Sequence, residues 1–248
     1  MKSVLRFIYG TGSAEFCPGY RALNALLLFT LSVSLCEAAS GGLSLGKTRI
    51  VYPADAGSAT IEVDNNSESR RYLVQSWVEK GDAEGEKSAD FLVTPPLYKS
   101  EPGDANTLKI IKTTPTAPAD REQLYYFVSR FIPEVDKSST EKKNVVLIGT
   151  AMKIKLFLRP VGLKTDFKQA VSGLRFHRAG NGIKAENPGP YYLTLVDINS
   201  GSKTIADFML PPRSTQVLPL PVDGKNVSFH VINDHGGLTD RRTVAMEP

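Results

Sequence analysis

The sequence predicts an all-β protein of two immunoglobulin-like β-sandwich domains. Three observations predict this. Short apolar runs with strand-like alternation recur between residues 43 and 233. Clusters rich in Gly, Pro, Asn, Asp and Ser separate them. No stretch after residue 40 carries a convincing helical period. The chain has 248 residues, 41% hydrophobic and 23% charged, which leaves room for two such domains.

The N-terminus reads as a secretory leader over residues 1–39. Lys2, Arg6 and Arg21 precede the apolar run Ala22–Leu35, and the small-residue stretch CEAASGG follows, with cleavage after Ala38 or Ala39. The run is shorter than the ~20 residues a spanning helix needs, so export is expected. Cys17 and Cys36 both fall in this leader. The remainder therefore has neither a disulfide framework nor a Cys-based zinc site.

The first domain is expected over residues 41–160. Its candidate strands are Leu43–Tyr52, Ala59–Asn65, Arg71–Lys80, Leu92–Thr94, Thr107–Ile111, Leu124–Ile132 and Val145–Leu158. The turn clusters PADAG, NNSES, KGDAEGEK, SEPGD and TTPTAPADRE divide them. Trp77 lies on an alternating run and is expected to pack in the core or line a groove. The last strand, within Asn144–Pro160, is unusually long. After Pro160, VGLKTDFKQAV reads as a linker with a short turn or helix. A second all-β domain is expected over residues 165–248. Its candidate strands are Leu174–His177, Gly182–Glu186, Tyr191–Ile198, Phe208–Leu210, Gln216–Leu220 and Ser228–Asn233.

Several function classes are excluded. A balance of 30 basic against 26 acidic residues is too mild for a nucleic-acid partner, although it permits a local basic site. His177, His230 and His235 make no HxH or HExxH spacing, so neither metal nor cofactor is expected. No GxSxG, phosphate loop or nucleophile–base pair is present. Asp120, Glu122 and Asp136 sit among turn residues. The chain does not read as an enzyme.

Seven separated motifs carry a resemblance. They are Thr48-Arg49-Ile50-Val51-Tyr52-Pro53, Tyr72–Trp77, Thr94-Pro95-Pro96 with Glu101-Pro102-Gly103, and Asp120-Arg121-Glu122-Gln123-Leu124-Tyr125-Tyr126-Phe127. Lys153-Ile154-Lys155-Leu156-Phe157-Leu158-Arg159-Pro160, Glu186-Asn187-Pro188-Gly189-Pro190-Tyr191-Tyr192 and Ile232-Asn233-Asp234-His235-Gly236-Gly237 complete the set. In this order they resemble the periplasmic chaperones of the chaperone–usher pilus pathway.

The resemblance implies two immunoglobulin-like domains set at an angle, a boomerang with an interdomain cleft. It implies a protein that binds and caps pilus subunits by β-augmentation and delivers them to an outer-membrane usher. Arg49 and Lys155 match the pair that grips the subunit's C-terminal carboxylate. Val146, Ile148 and Thr150 match the donor residues, with Thr150 standing where the family usually has a large hydrophobe. Glu122, Arg159 and Asp234 match a charged set at the domain junction. When free, such a chaperone could cap itself as a homodimer through the same strand. The segment Pro133–Asn144 and the missing Cys pair resemble the short-loop subclass.

Strand parity would put Val146 and Ile148 on the face opposite Lys155, and a bulge between Gly149 and Lys153 would reconcile them. Val145, Leu147, Gly149 and Ala151 form the opposite face and are candidates to fill the core. The alternative is a secreted structural pilus subunit or adhesin with β-sandwich domains.

Overall fold

The computed structural model describes residues 42–81, 85–115, 119–135, 148–180, 182–218 and 224–247. The expected leader therefore lies outside the described residues, as do Val146 and most of the segment before the long strand.

The N-terminal half holds nine strands: β1 (Leu43–Leu45), β2 (Arg49–Pro53), β3 (Ala59–Asn65), β4 (Tyr72–Lys80), β5 (Phe91–Thr94), β6 (Leu97–Ser100), β7 (Ala105–Lys112), β8 (Gln123–Pro133) and β9 (Thr150–Arg159). They form a four-stranded sheet, β1-β3-β7-β5, and a five-stranded sheet, β2-β9-β8-β4-β6. All pairs are antiparallel except β2 with β9. Alternate residues of the two sheets meet in one apolar core, including Tyr52, Ile61, Leu108, Phe127, Phe131 and Leu156, all essentially inaccessible to solvent.

Two expectations change here. The run Leu43–Tyr52 is two strands: β1 pairs with β3, and the chain crosses at Gly46-Lys47-Thr48 so that β2 joins the other sheet. The segment after Thr94 is also a strand. The chain turns at Pro95-Pro96, where the Thr94–Pro95 peptide is cis, and β6 pairs with β4. Proline cannot extend a ladder, so the chain changes sheets there.

Trp77 is on neither a core nor a groove position. Val74, Ser76 and Val78 occupy the buried face of β4, which puts Trp77 on the outer face, half-buried. There its Nε1 donates to Glu79 Oε1 at 2.9 Å, and Lys87 and Arg130 lie 4.9 Å and 5.2 Å from the ring centroid. Cation–π contacts and that hydrogen bond hold the indole in place of core packing.

The C-terminal half begins with α1 (Phe167–Ser172). The strands β10 (Arg175–Ala179), β11 (Gly182–Asn187), β12 (Leu193–Ser200), β13 (Lys203–Ile205), β14 (Phe208–Leu210), β15 (Ser214–Leu218), β16 (Asn226–Val231) and β17 (Arg242–Glu247) follow. The order β13-β12-β16-β17-β10-β11-β15 makes a continuous sheet, with β14 on β12 and a parallel join between β10 and β17. It encloses a second core built on Phe176, Ile183, Leu193, Leu195, Phe229 and Val231. Strand β17 continues an exposed alternation that the sequence pattern did not single out.

The helix is a single capped turn and a half. Asp166 accepts from Gln169 N at 2.7 Å, and Gln169 Oε1 accepts from Asp166 N at 3.4 Å, a reciprocal capping box. Ala170 and Val171 then pack into the second core. Asp166→Ala should lower stability by about 1 kcal/mol, seen as an earlier urea midpoint with unchanged slope. An unchanged midpoint would show that the cap contributes nothing.

Candidate functional site: a cationic cleft at the domain junction

The site is built on the parallel pairing of β2 with β9, whose register runs Arg49 with Lys155 through Pro53 with Arg159. The even-numbered residues of β9 (Met152, Ile154, Leu156 and Leu158) pack on the first core. Of the odd-numbered ones, Lys155, Phe157 and Arg159 meet the second half of the molecule, while Lys153 pairs with Glu79 of β4. Phe157 stacks on Tyr192 with ring centroids 5.7 Å apart, and Lys155 Nζ donates to Thr194 Oγ1 at 3.3 Å. Arg49 leaves β2 on that same face and donates through Nη1 to Ile232 O at 3.2 Å. Two residues distant in sequence are thereby direct neighbours in the sheet.

These two cations are poorly compensated. Arg49 is only 9% exposed, and its Nε is buried without a hydrogen-bond partner. Burial pushes its guanidinium below the usual arginine range, and Asp234 pulls it partly back. Burial also lowers the Lys155 ammonium, and the charge of Arg49 lowers it further. Unpaired charge in a half-buried cleft is unfavourable unless an anion arrives.

The expected charged set at the junction comes together. Arg159 Nε donates to Glu122 Oε1 at 2.7 Å, and its Nη1 and Nη2 donate to Asp234 Oδ2 and Oδ1 at 2.6 Å and 2.7 Å. Tyr192 N donates to the second Glu122 oxygen at 2.8 Å, and the guanidinium lies 5.0 Å from the Tyr191 ring centroid. Glu122 is 3% exposed. Burial pushes its carboxyl up against the pull of Arg159, whereas its own two carboxylate partners hold Arg159 above its usual range despite burial. Both Glu122 oxygens accept from N–H donors, which fits an ionised carboxylate. Arg159 is thus matched by two carboxylates, whereas Arg49 feels only Asp234, whose oxygens are both engaged by Arg159, and Lys155 feels the like charge of Arg49. The Arg49–Lys155 pair has no carboxylate of its own.

Two loops of the second half complete the site. Asn187 is fully buried, and its Nδ2 donates to Tyr191 O and Pro211 O at 2.8 Å and 2.9 Å. Its Oδ1 accepts from Gly189 N at 3.0 Å. This pins the Pro188-Gly189-Pro190 turn and presents Tyr191 and Tyr192 to Arg159 and Phe157. Asn233 organises the second loop, its Oδ1 accepting from His235 N and Gly237 N, both at 3.0 Å. Gly236 adopts φ +88°, and a Cβ there would collide with Thr48 Oγ1. Only glycine lets this loop close on β2 and bring Asp234 to Arg159.

Of the expected strand-donor positions, Ile148 is 77% exposed and Thr150 opens β9 opposite Phe131. Val146 lies outside the described residues. No bulge separates them from Lys155: the β8–β9 register is unbroken from Thr150 to Leu158. Thr150 shares the even-numbered face of the core residues, while Gly149 and Ala151 are exposed. Thr150 and Lys155 therefore lie on opposite faces of one regular strand. β9 pairs with β8 from Thr150 but with β2 only from Lys155, so its other edge over Thr150–Ile154 carries no strand among the described residues.

Sequence reasoning did not find Thr194, Ile232, Tyr191 and Tyr192 as partners of these charges. The two asparagine loops were the available signal. Among the described residues no cluster of three His, Cys, Asp or Glu is placed to hold a metal, and no helix is long and apolar enough to cross a membrane.

Residues 42–164 match the N-terminal domain of the pili and flagellar-assembly chaperone PapD, and residues 169–243 match the C-terminal domain of the same pili assembly chaperone. The chain belongs to the PapD family of pilus-assembly chaperones. Members of this family are chaperones and not enzymes. The chaperone is 42% identical to the probable fimbrial chaperone SfmC of Escherichia coli K12, over 90% of this chain and 96% of that one. It is 38% identical to the chaperone protein FimC of the same strain, over 91% and 93%. It also superposes with TM-score 0.74 and 30% identity on the Salmonella enterica SafB chaperone structure, solved in complex with the SafA pilin, covering 83% of this chain and 96% of that one.

In this chaperone, Arg159→Ala should cost about 3–5 kcal/mol, because it strands Glu122 as an unpaired buried carboxylate. Adding Glu122→Gln should return part of that loss in thermal denaturation. Equal stability of the single and double variants would refute the assigned pairing.

Proposed function

We propose that this chaperone binds pilus subunits in the periplasm by two features of β9 and hands them to an outer-membrane usher. The observation that carries this reading is the charge deficit of the cleft. Arg49, buried, and Lys155, half-buried, lie side by side without a carboxylate of their own, and a subunit's C-terminal carboxylate supplies that charge through charge-assisted hydrogen bonds. The unpaired β9 edge and exposed Ile148 then extend the contact by main-chain pairing, with Ile148 and Thr150 entering the subunit's open groove. The complex of the similar SafB chaperone with SafA pilin supports this partner class. Glu122, Arg159 and Asp234 fix the domain orientation that keeps the cleft assembled.

Arg49→Ala and Lys155→Ala should each leave a folded protein whose subunit affinity falls by about 2 kcal/mol, roughly thirtyfold. The readout is subunit recovered by co-purification. Undiminished recovery with both variants would sink the anchor.

The pH dependence has a definite sign. Binding needs the Lys155 ammonium, whose pKa in the free protein lies below the ordinary 10.5. Affinity should therefore fall as pH rises through that lowered value, and Lys155→Arg should remove the alkaline limb. Stability of the free protein moves the other way. The unfolded state binds more protons between the lowered value and 10.5, so folding gains stability as pH rises across that window. Titrating binding and urea stability in parallel checks both slopes; trends of the same sign would contradict the role given to Lys155.

A further inference from the structure

We propose that Lys47 and His235 form a second subsite beside Arg49 that selects for an acidic side chain on the last residue of the bound subunit. This rests on the reading that Arg49 and Lys155 hold the C-terminal carboxylate.

A cavity of about 540 Å³ lies beside Arg49, lined by Lys47, Thr48, Arg49, Asp234 and His235 among others, and Lys155 is not on its wall. Arg49 borders both spaces. Its Nη1 is committed to Ile232 O, and its Nε is buried without a partner in a side chain that is nine-tenths buried.

The other walls set the chemistry of the site. Lys47 Nζ gives one hydrogen to Thr60 O at 2.9 Å and retains two donors. The His235 imidazole is exposed and presents an N–H in either tautomer. Asp234 is the only acid on the wall, and both its oxygens are engaged by Arg159. The cavity therefore offers donors and positive charge. A terminal carboxylate held on Arg49 and Lys155 is bonded to the Cα of the last residue, so that residue's side chain is the nearest group able to enter. A Glu or Asp there meets Lys47 and His235, whereas a Lys meets like charge.

The test is a fluorescence-anisotropy titration of the purified protein with short alternating-apolar peptides identical except for the last residue (Glu, Gln, Leu or Lys), plus an amidated Glu peptide. The Glu peptide should bind about fivefold tighter than the Lys peptide. Lys47→Ala with His235→Ala, both at exposed positions, should flatten that preference while leaving the amidation effect intact. If amidation weakens binding but the last residue makes no difference, the subsite is overturned and the carboxylate anchor survives. If the preference persists in the double variant, its assignment to Lys47 and His235 is overturned. If amidation has no effect, the anchor itself is refuted.

Discussion

Everything at the junction depends on five consecutive parallel pairs, Arg49 with Lys155 through Pro53 with Arg159. Because β2 and β9 run side by side in register, their inward residues complete one core while their outward residues form a single charged and aromatic face. A slip of one residue would turn Ile50 and Leu156 out of the core and Arg49 and Lys155 into it. The apolar pattern therefore fixes the charge pattern. Packing that stabilises the first domain also places every cation of the cleft, and it costs the cleft nothing extra in ordering.

The second half of the molecule meets this face through loops whose shape is set by side chains inside them. Asn187 and Asn233 each satisfy several backbone groups of their own turn. That local satisfaction lets Pro190, Tyr192 and Asp234 be offered to the first domain, where Glu122 N donates to Pro190 O at 2.9 Å. The Arg159 network is a modest source of net stability, since desolvation of Glu122 offsets much of its attraction. Arg213 of the second half also pairs with Asp120, an exposed contact of small energetic weight.

Much of this was legible in the sequence, for physical reasons. Alternation gave the long strands, and Gly, Pro and Asn clusters gave the turns, because both signals are local. The capping box at Asp166 and Gln169 was equally local but lies in a helix of six residues, too short for periodicity to show. Sheet changes at Gly46–Thr48 and at Pro95-Pro96 were hidden, since residues on either side of each keep strand-like composition. Trp77 was misplaced because a tryptophan is read as core by default, and only the identity of the buried face of β4 decides otherwise. Arg49 and Lys155 were reachable only through the family resemblance. A single charged residue in a strand gives no hint of its neighbour across the sheet.

In the function proposed above, one ligand would answer two features of β9. The charge deficit sits at Lys155 and the bare edge begins at Thr150, five residues apart and about 17 Å along an extended strand. A carboxylate alone would meet the first and leave the edge open. An internal strand alone would pair with the edge and bury Arg49 and Lys155 without a counter-ion. A strand that ends shortly after it pairs meets both at once. Under the function proposed above, register and anchoring would be coupled: a terminal carboxylate would fix where pairing starts, and the regular alternation of β9 would fix which of its side chains face the partner. That coupling requires an uninterrupted strand between anchor and edge, as the unbroken β8–β9 register provides.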